Sequence, residues 1–187
     1  MLWSGVARSL IVIDLIGDCL RPLPSGVAER LIAATNDLVA RFRRHRLPVV
    51  WVRQEFAPDL SDAFLEMRKQ GIRSSIAGTE GARLDPRLDV GEGDPVIVKK
   101  RYSAFHNTGL EDLLAARGIG EIVLAGVNTH ACIRMAAIDA YQRDLEVILA
   151  TDCLASYDEE HARVSLRYMD GKIARTMRNA EIAEWLA

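Results

Sequence analysis

Five short apolar runs, rich in β-branched residues, punctuate the chain: SLIVID (9–14), LPVVWVR (47–53), PVIVK (95–99), EIVLAGV (121–127) and LEVILA (145–150). Runs this short, with no polar alternation, read as strands covered on both faces, which is the condition of a parallel sheet. Parallel neighbours cannot be joined by tight hairpins. They need crossover connections, usually helical.

The intervening stretches supply those crossovers. After Ser25, an apparent N-cap, residues Leu31, Ile32, Leu38, Val39 and Phe42 fall on one helical face. SDAFLEMRKQG suggests a short helix closed by Gly71. Thr108 and Glu111 have capping-box spacing ahead of LEDLLAAR, which Gly118 stops. Ile133, Ala136, Ala137, Ala140 and Tyr141 form a further helical face. Ser156 and Glu159 are placed to cap a helix running to Met169, with Gly171 beyond it. KIARTM (172–177) reads as a weaker sixth strand and NAEIAEWLA as a closing helix. Residues 72–94, rich in Gly, Ser and Asp, read as a loop. No break in composition marks a linker, so the expectation is one α/β domain over 1–187 with a mostly parallel sheet.

Composition narrows the function classes. A net charge of -2 and a pI near 6.1 give no basic surface for nucleic acid. No run of about 18 apolar residues offers a membrane span. The start, MLWSGVARSLIVIDLIGD, lacks the pattern of a signal peptide, so a cytoplasmic location is expected. Cys19, Cys132 and Cys153 are an odd number at wide spacing and read as thiols. Trp51 is expected in the core, and Trp3 or Trp185 is a candidate for an interface.

In open α/β sheets, ligands bind beyond the carboxyl ends of the strands. Asp14 ends the first strand, Lys99 ends the third, and Cys132 follows the fourth where a helix begins. Each residue also has a structural reading. Asp14 could cap a loop, Lys99 could belong to a solvated basic run with Lys100 and Arg101, and Cys132 could be a packed helix residue. Read together they suggest an activated thiol. A helix N-terminus and a nearby ammonium favour thiolate, and a carboxylate can relay the proton. Cys19 in a loop and Cys153 after the fifth strand lack this setting and read as structural. Dinucleotide binding is disfavoured because LIGDCLRPLPSG lacks the glycine-rich turn. Redox work is disfavoured because no CxxC pair exists.

IVIDLIGDCL, VIVKKRYSAFHNTGLEDLL and LAGVNTHACIRMAAIDAYQRDLEVILATDCLAS together resemble the isochorismatase-like cysteine hydrolases. That family includes nicotinamidases, N-carbamoylsarcosine amidohydrolases and ureidoacrylate amidohydrolases. The resemblance implies a three-layer α/β/α sandwich whose six-stranded sheet runs 3-2-1-4-5-6. It implies Asp14 as general acid/base, Lys99 as the cation beside the thiolate, and Cys132 as nucleophile. It also implies a cis peptide before Asn128, turning the N–H groups of Asn128 and Cys132 toward an oxyanion. Gln54, Phe56, Tyr102 and His130 are the candidate substrate contacts. Gly17 and Cys19 depart from the DMQNDF that members often carry. WVRQEFAPD has no histidine, so no metal is expected near the pocket, and nicotinamide is disfavoured as substrate. No cofactor is implied, and a homodimer or homotetramer is. The expected chemistry is cleavage of a C–N bond in a small amide, ureido or N-carbamoyl substrate through a thioester. The alternative is enol-ether hydrolysis, which needs an acid but no thiol.

Overall fold

The computed structural model describes residues 7–187, so the expectation for Trp3 and the first six residues of the amino-terminal reading lie outside the described residues. Strand β1 is Ala7–Ile13, followed by α1 (Gly17–Leu20) and α2 (Val27–Arg44). Then come β2 (Val49–Gln54), α3 (Leu65–Gln70), β3 (Val96–Lys99) and α4 (Leu110–Ala116). Strand β4 (Ile119–Val127) leads through a wide turn, Thr129–Ile133, into α5 (Arg134–Tyr141). The chain ends with β5 (Glu146–Ala155), α6 (Glu159–Met169), β6 (Arg175–Met177) and α7 (Asn179–Leu186).

The strands form one sheet in the order β3-β2-β1-β4-β5-β6, and every pairing is parallel. Strand β1 explains why. Leu10, Ile11, Val12 and Ile13 are all fully buried. Leu10 and Val12 face a core built with Leu31, Ile32, Leu38, Val39 and Phe42 of α2 and Ile182 and Leu186 of α7. Ile11 and Ile13 face a second core built with α4 and with Ala136, Ala137 and Ala140 of α5. Small alanines on α5 let that helix approach the sheet closely. Trp51 lies fully inside, its Nε1 donating to Asp94 at 2.9 Å. No helix among the described residues is long and apolar enough to cross a membrane.

Several caps differ from expectation. Helix α2 starts after Gly26, which takes a left-handed φ of 74°, and Ser25 gives no cap. Ahead of α4 the capping box does not form, and Gly109 takes the N-cap position. Thr108 Oγ1 accepts from the Leu110 N–H at 3.3 Å, while Glu111 turns to Arg143 at 2.7 Å. Helix α6 is capped by Asp158, which accepts from the His161 N–H at 2.9 Å, because Ser156 is engaged elsewhere. Gly71 closes α3 with a φ of 66°, as its position implied. Strand β5 runs on to Ala155, so Cys153 lies inside a strand, where its Sγ donates to Asn179 Oδ1 at 3.2 Å. Strand β6 is shorter than KIARTM, because Met169 to Ala174 fold into a tight reversal.

The loop between α3 and β3 is more ordered than its composition suggests. A 3₁₀ turn spans Glu80–Ala82, and single bridges join Phe56 to Ile76 and Ile16 to Leu84. The segment is thereby stitched across the carboxyl edge of the sheet. Asp18 of α1 holds it too, accepting from the Ser75 N–H at 2.7 Å. A Cβ at Gly17 would press on the Glu80 carbonyl at 3.2 Å, which accounts for glycine there.

Gly126 sits opposite Ile13 with a φ of 124°, and a Cβ there would overlap the Ile13 carbonyl oxygen. Gly126→Ala is therefore expected to destabilise the fold by at least about 2 kcal/mol, from backbone strain plus the clash. Urea denaturation followed by circular dichroism measures it, and an unchanged midpoint would contradict this account.

Candidate active site

Strand order dictates which side chains can meet. The ends of β3 and β1 stand two strand spacings apart, about 9–10 Å, with β2 between them. Only a long side chain from β3 can cross that gap. Lys99 does so. Its ammonium lies 2.7 Å from Asp14 Oδ2 and donates to Cys132 Sγ at 3.4 Å and to the Arg101 carbonyl at 3.1 Å. The Asp14 contact is an ion pair, and neither carboxylate oxygen has a hydrogen-bond partner of good geometry. Lys99 and Asp14 are fully buried, and Cys132 is 5% exposed. Lys100 does not compete, because it pairs with Asp62 at 2.8 Å on the outside.

Asp14 follows β1 in the left-handed region, with a φ of 58°, and its N–H donates to the Val52 carbonyl at 2.8 Å. Its Oδ1 has no hydrogen-bond partner. Cys132 lies in the wide turn that precedes α5. The Val127–Asn128 peptide is cis, as the resemblance implied.

Burial by itself would lower the Lys99 pKa, but the Asp14 carboxylate and Cys132 reverse this, and the amine stays charged above its ordinary range. The thiol goes the other way from expectation. Burial, with Asp14 adding to it, pushes Cys132 up to about 12 against the opposing pull of Lys99. The sulfur is a thiol at rest, because desolvation outweighs the single cation beside it.

Cys19 calls for a correction. It lies in the short helix α1, half-buried, and not in a loop. It shares the electrostatic environment of Asp14, Cys132 and Lys99, and burial pushes its thiol above the usual range. Its place in the segment just after β1, five residues beyond Asp14, was the available signal.

Of the candidate contacts, Gln54 is the best placed. It ends β2 in register with Lys99, is 8% exposed, and its Nε2 has no partner. A buried amide donor left unpaired costs about 1–3 kcal/mol. Phe56 is buried, and Tyr102 is half exposed. Phe64, which sequence reading passed over, joins them: its ring is 5.6 Å from Phe56 and 4.8 Å from Tyr102, with the Arg101 guanidinium 5.4 Å away. His130 turns toward the end of β5, where its Nδ1 lies 2.5 Å from Ser156 Oγ. Among the described residues no cluster of three or more His, Cys, Asp or Glu is arranged to hold a metal ion.

The isochorismatase-domain family model matches residues 8–181. The chain belongs to the isochorismatase family. Enterobactin synthase component B of Escherichia coli K12 is 30% identical over 156 residues, which is 82% of this chain. The chain spans 54% of that relative's length. An isochorismatase family protein from Desulfovibrio vulgaris superposes with a TM-score of 0.87 at 27% identity, covering 97% of this chain and 99% of the other. The N-carbamoylsarcosine amidase from Thermoplasma acidophilum superposes with a TM-score of 0.79 at 28% identity, covering 94% and 98%.

Two outcomes follow from this geometry. Lys99→Met leaves the Asp14 charge buried without a cation and is expected to cost about 3–5 kcal/mol, most of it recovered in Asp14→Leu/Lys99→Met. Chemical denaturation of the three proteins checks this, and an additive double variant would refute it. Iodoacetamide labelling of Cys132 is expected to keep accelerating from about pH 7 to about pH 10, since thiolate accumulates only toward the raised pKa. A plateau near neutrality would instead reveal a thiolate at rest.

Proposed function

We propose that this family hydrolase cleaves the C–N bond of a small amide, ureido or N-carbamoyl substrate through a thioester on Cys132. The observation that carries this reading is the Lys99 ammonium touching both the Asp14 carboxylate and the Cys132 sulfur at the ends of three strands.

Asp14 takes the thiol proton onto its unpaired Oδ1 as Cys132 attacks the carbonyl carbon. Lys99 keeps its charge and faces the developing thiolate. The oxyanion of the tetrahedral intermediate is received by the N–H groups of Asn128 and Cys132. Asp14 then returns its proton to the leaving nitrogen, and ammonia or an amine departs. Water attacks the thioester, Asp14 takes the water proton, and the acid product leaves as the thiol is restored.

Gln54 Nε2 supplies a donor for a substrate oxygen, and Phe56, Phe64 and Tyr102 give an apolar wall next to Lys100 and Arg101. The likeness to an N-carbamoylsarcosine amidase supports an N-carbamoyl or ureido group. The family description favours a second reading, enol-ether hydrolysis as in isochorismatases. That chemistry leaves the Lys99–Cys132 contact without a use.

An ammonia-release screen over amides, ureides and N-carbamoyl amino acids tests the proposal. Cys132→Ala and Asp14→Asn are each expected to lower kcat/KM at least about 10³-fold with the fold intact. Gln54→Leu is expected to raise KM more than it lowers kcat. Full turnover by Cys132→Ala would eliminate the thioester route and leave the acid-only chemistry.

A further inference from the structure

The turn that carries Cys132 is held from one side by the end of β5 and the residues just beyond it. Thr129 Oγ1 donates to the Ala155 carbonyl at 3.1 Å, His130 Nδ1 lies 2.5 Å from Ser156 Oγ, and the Tyr157 N–H donates to Asn128 Oδ1 at 3.4 Å. Three consecutive residues of the turn are thus matched by three consecutive residues of the segment. The His130 ring also packs edge-on against Tyr157, with centroids 5.1 Å apart. Strands β4 and β5 lose register after Leu124 and regain it at Gly126–Leu154 and Val127–Ala155, so the matched segment continues the restored pairing.

Ser156 is the anchor. It is 7% exposed, and its Oγ accepts from the Asp158 N–H at 3.3 Å, at the start of α6. Among the described residues the one other partner within reach of its hydroxyl is His130 Nδ1. Which of the two atoms donates follows the imidazole tautomer. Either way the bond ties the residue after β5 to the turn, two residues before the sulfur. A displacement of about 1 Å in such a turn can cost about 100-fold in rate.

We infer that Ser156 and His130 form a positioning pair that holds Cys132 against Lys99. Neither residue hydrogen-bonds to the Cys132 sulfur, and the pair acts through the turn. The inference rests on Cys132 being the nucleophile.

Labelling of Cys132 by iodoacetamide at about pH 8.5, followed by peptide mass spectrometry, tests it without a known substrate. Ser156→Ala and His130→Ala are each expected to slow labelling about tenfold while the thermal midpoint moves by less than about 5 °C. The double variant is expected to be no slower than the slower single, because one bond is lost in all three. Ser156→Thr and His130→Asn keep a hydroxyl or an acceptor in place and are expected to recover about half of the lost rate or more. Wild-type rates in both alanine variants, or losses that multiply in the double, would overturn the inference while leaving the nucleophile intact. A wild-type Cys132 that never labels in the folded protein, yet labels once unfolded, would remove the nucleophile reading and this inference with it.

Discussion

The contact between the Lys99 ammonium and the Asp14 carboxylate, 2.7 Å long and sealed from water, is the constraint on which the rest of the site depends. Neither charge could be carried alone in that setting, because desolvating an isolated ion costs several kcal/mol. The pair exists only because β3 and β1 end on the same edge of a parallel sheet, with β2 narrow enough to be crossed by one lysine. Parallel order in turn requires both faces of β1 to be covered. That is why α2 and α7 on one side and α4 and α5 on the other are not incidental to the chemistry.

Close approach of backbones is the second constraint. Asp14 leaves β1 in the left-handed region, and Gly126 admits the Ile13 carbonyl where any side chain would exclude it. These two positions bring the end of β1 against the end of β4. They place the carboxylate beside the turn that bears the sulfur. The segment from Ser75 to Ala82 closes the same edge from above, tied down through Asp18 and fitted against Gly17. Gly17 and Asp18 thus serve the loop, and the cysteine between Asp18 and Leu20 is left facing the cluster.

The strands, and the placing of Asp14, Lys99 and Cys132 at strand ends, were legible from local rules, whereas the strand order came from the resemblance. Apolar runs too short to be helices must pair, and strand ends in such sheets converge. The caps were less legible. Ser25, Thr108 and Ser156 all have the right side chain at the right spacing, yet Ser156 answers to His130, 26 residues away, and Glu111 to Arg143, 32 away. No local pattern carries those distances. Phe64 was missed for the same reason: its partners Phe56 and Tyr102 lie on separate segments. The thiol's protonation state was misjudged by weighing the cation and the helix end without the desolvation that full burial imposes.

That last point bears on how the cluster can work. With a carboxylate, an ammonium and a neutral thiol, the buried group of three carries no net charge. Ionising the thiol to bulk water would leave a net negative charge in hydrocarbon, which is what raises Cys132 to about 12. Passing the same proton to Asp14 leaves one ammonium and one thiolate, again neutral overall and again 3.4 Å apart. The proton transfer that the proposed reaction needs is therefore the ionisation of the thiol that leaves the net charge of the cluster unchanged. A high thiol pKa toward solvent and a reactive sulfur toward substrate are in this arrangement the same physical fact.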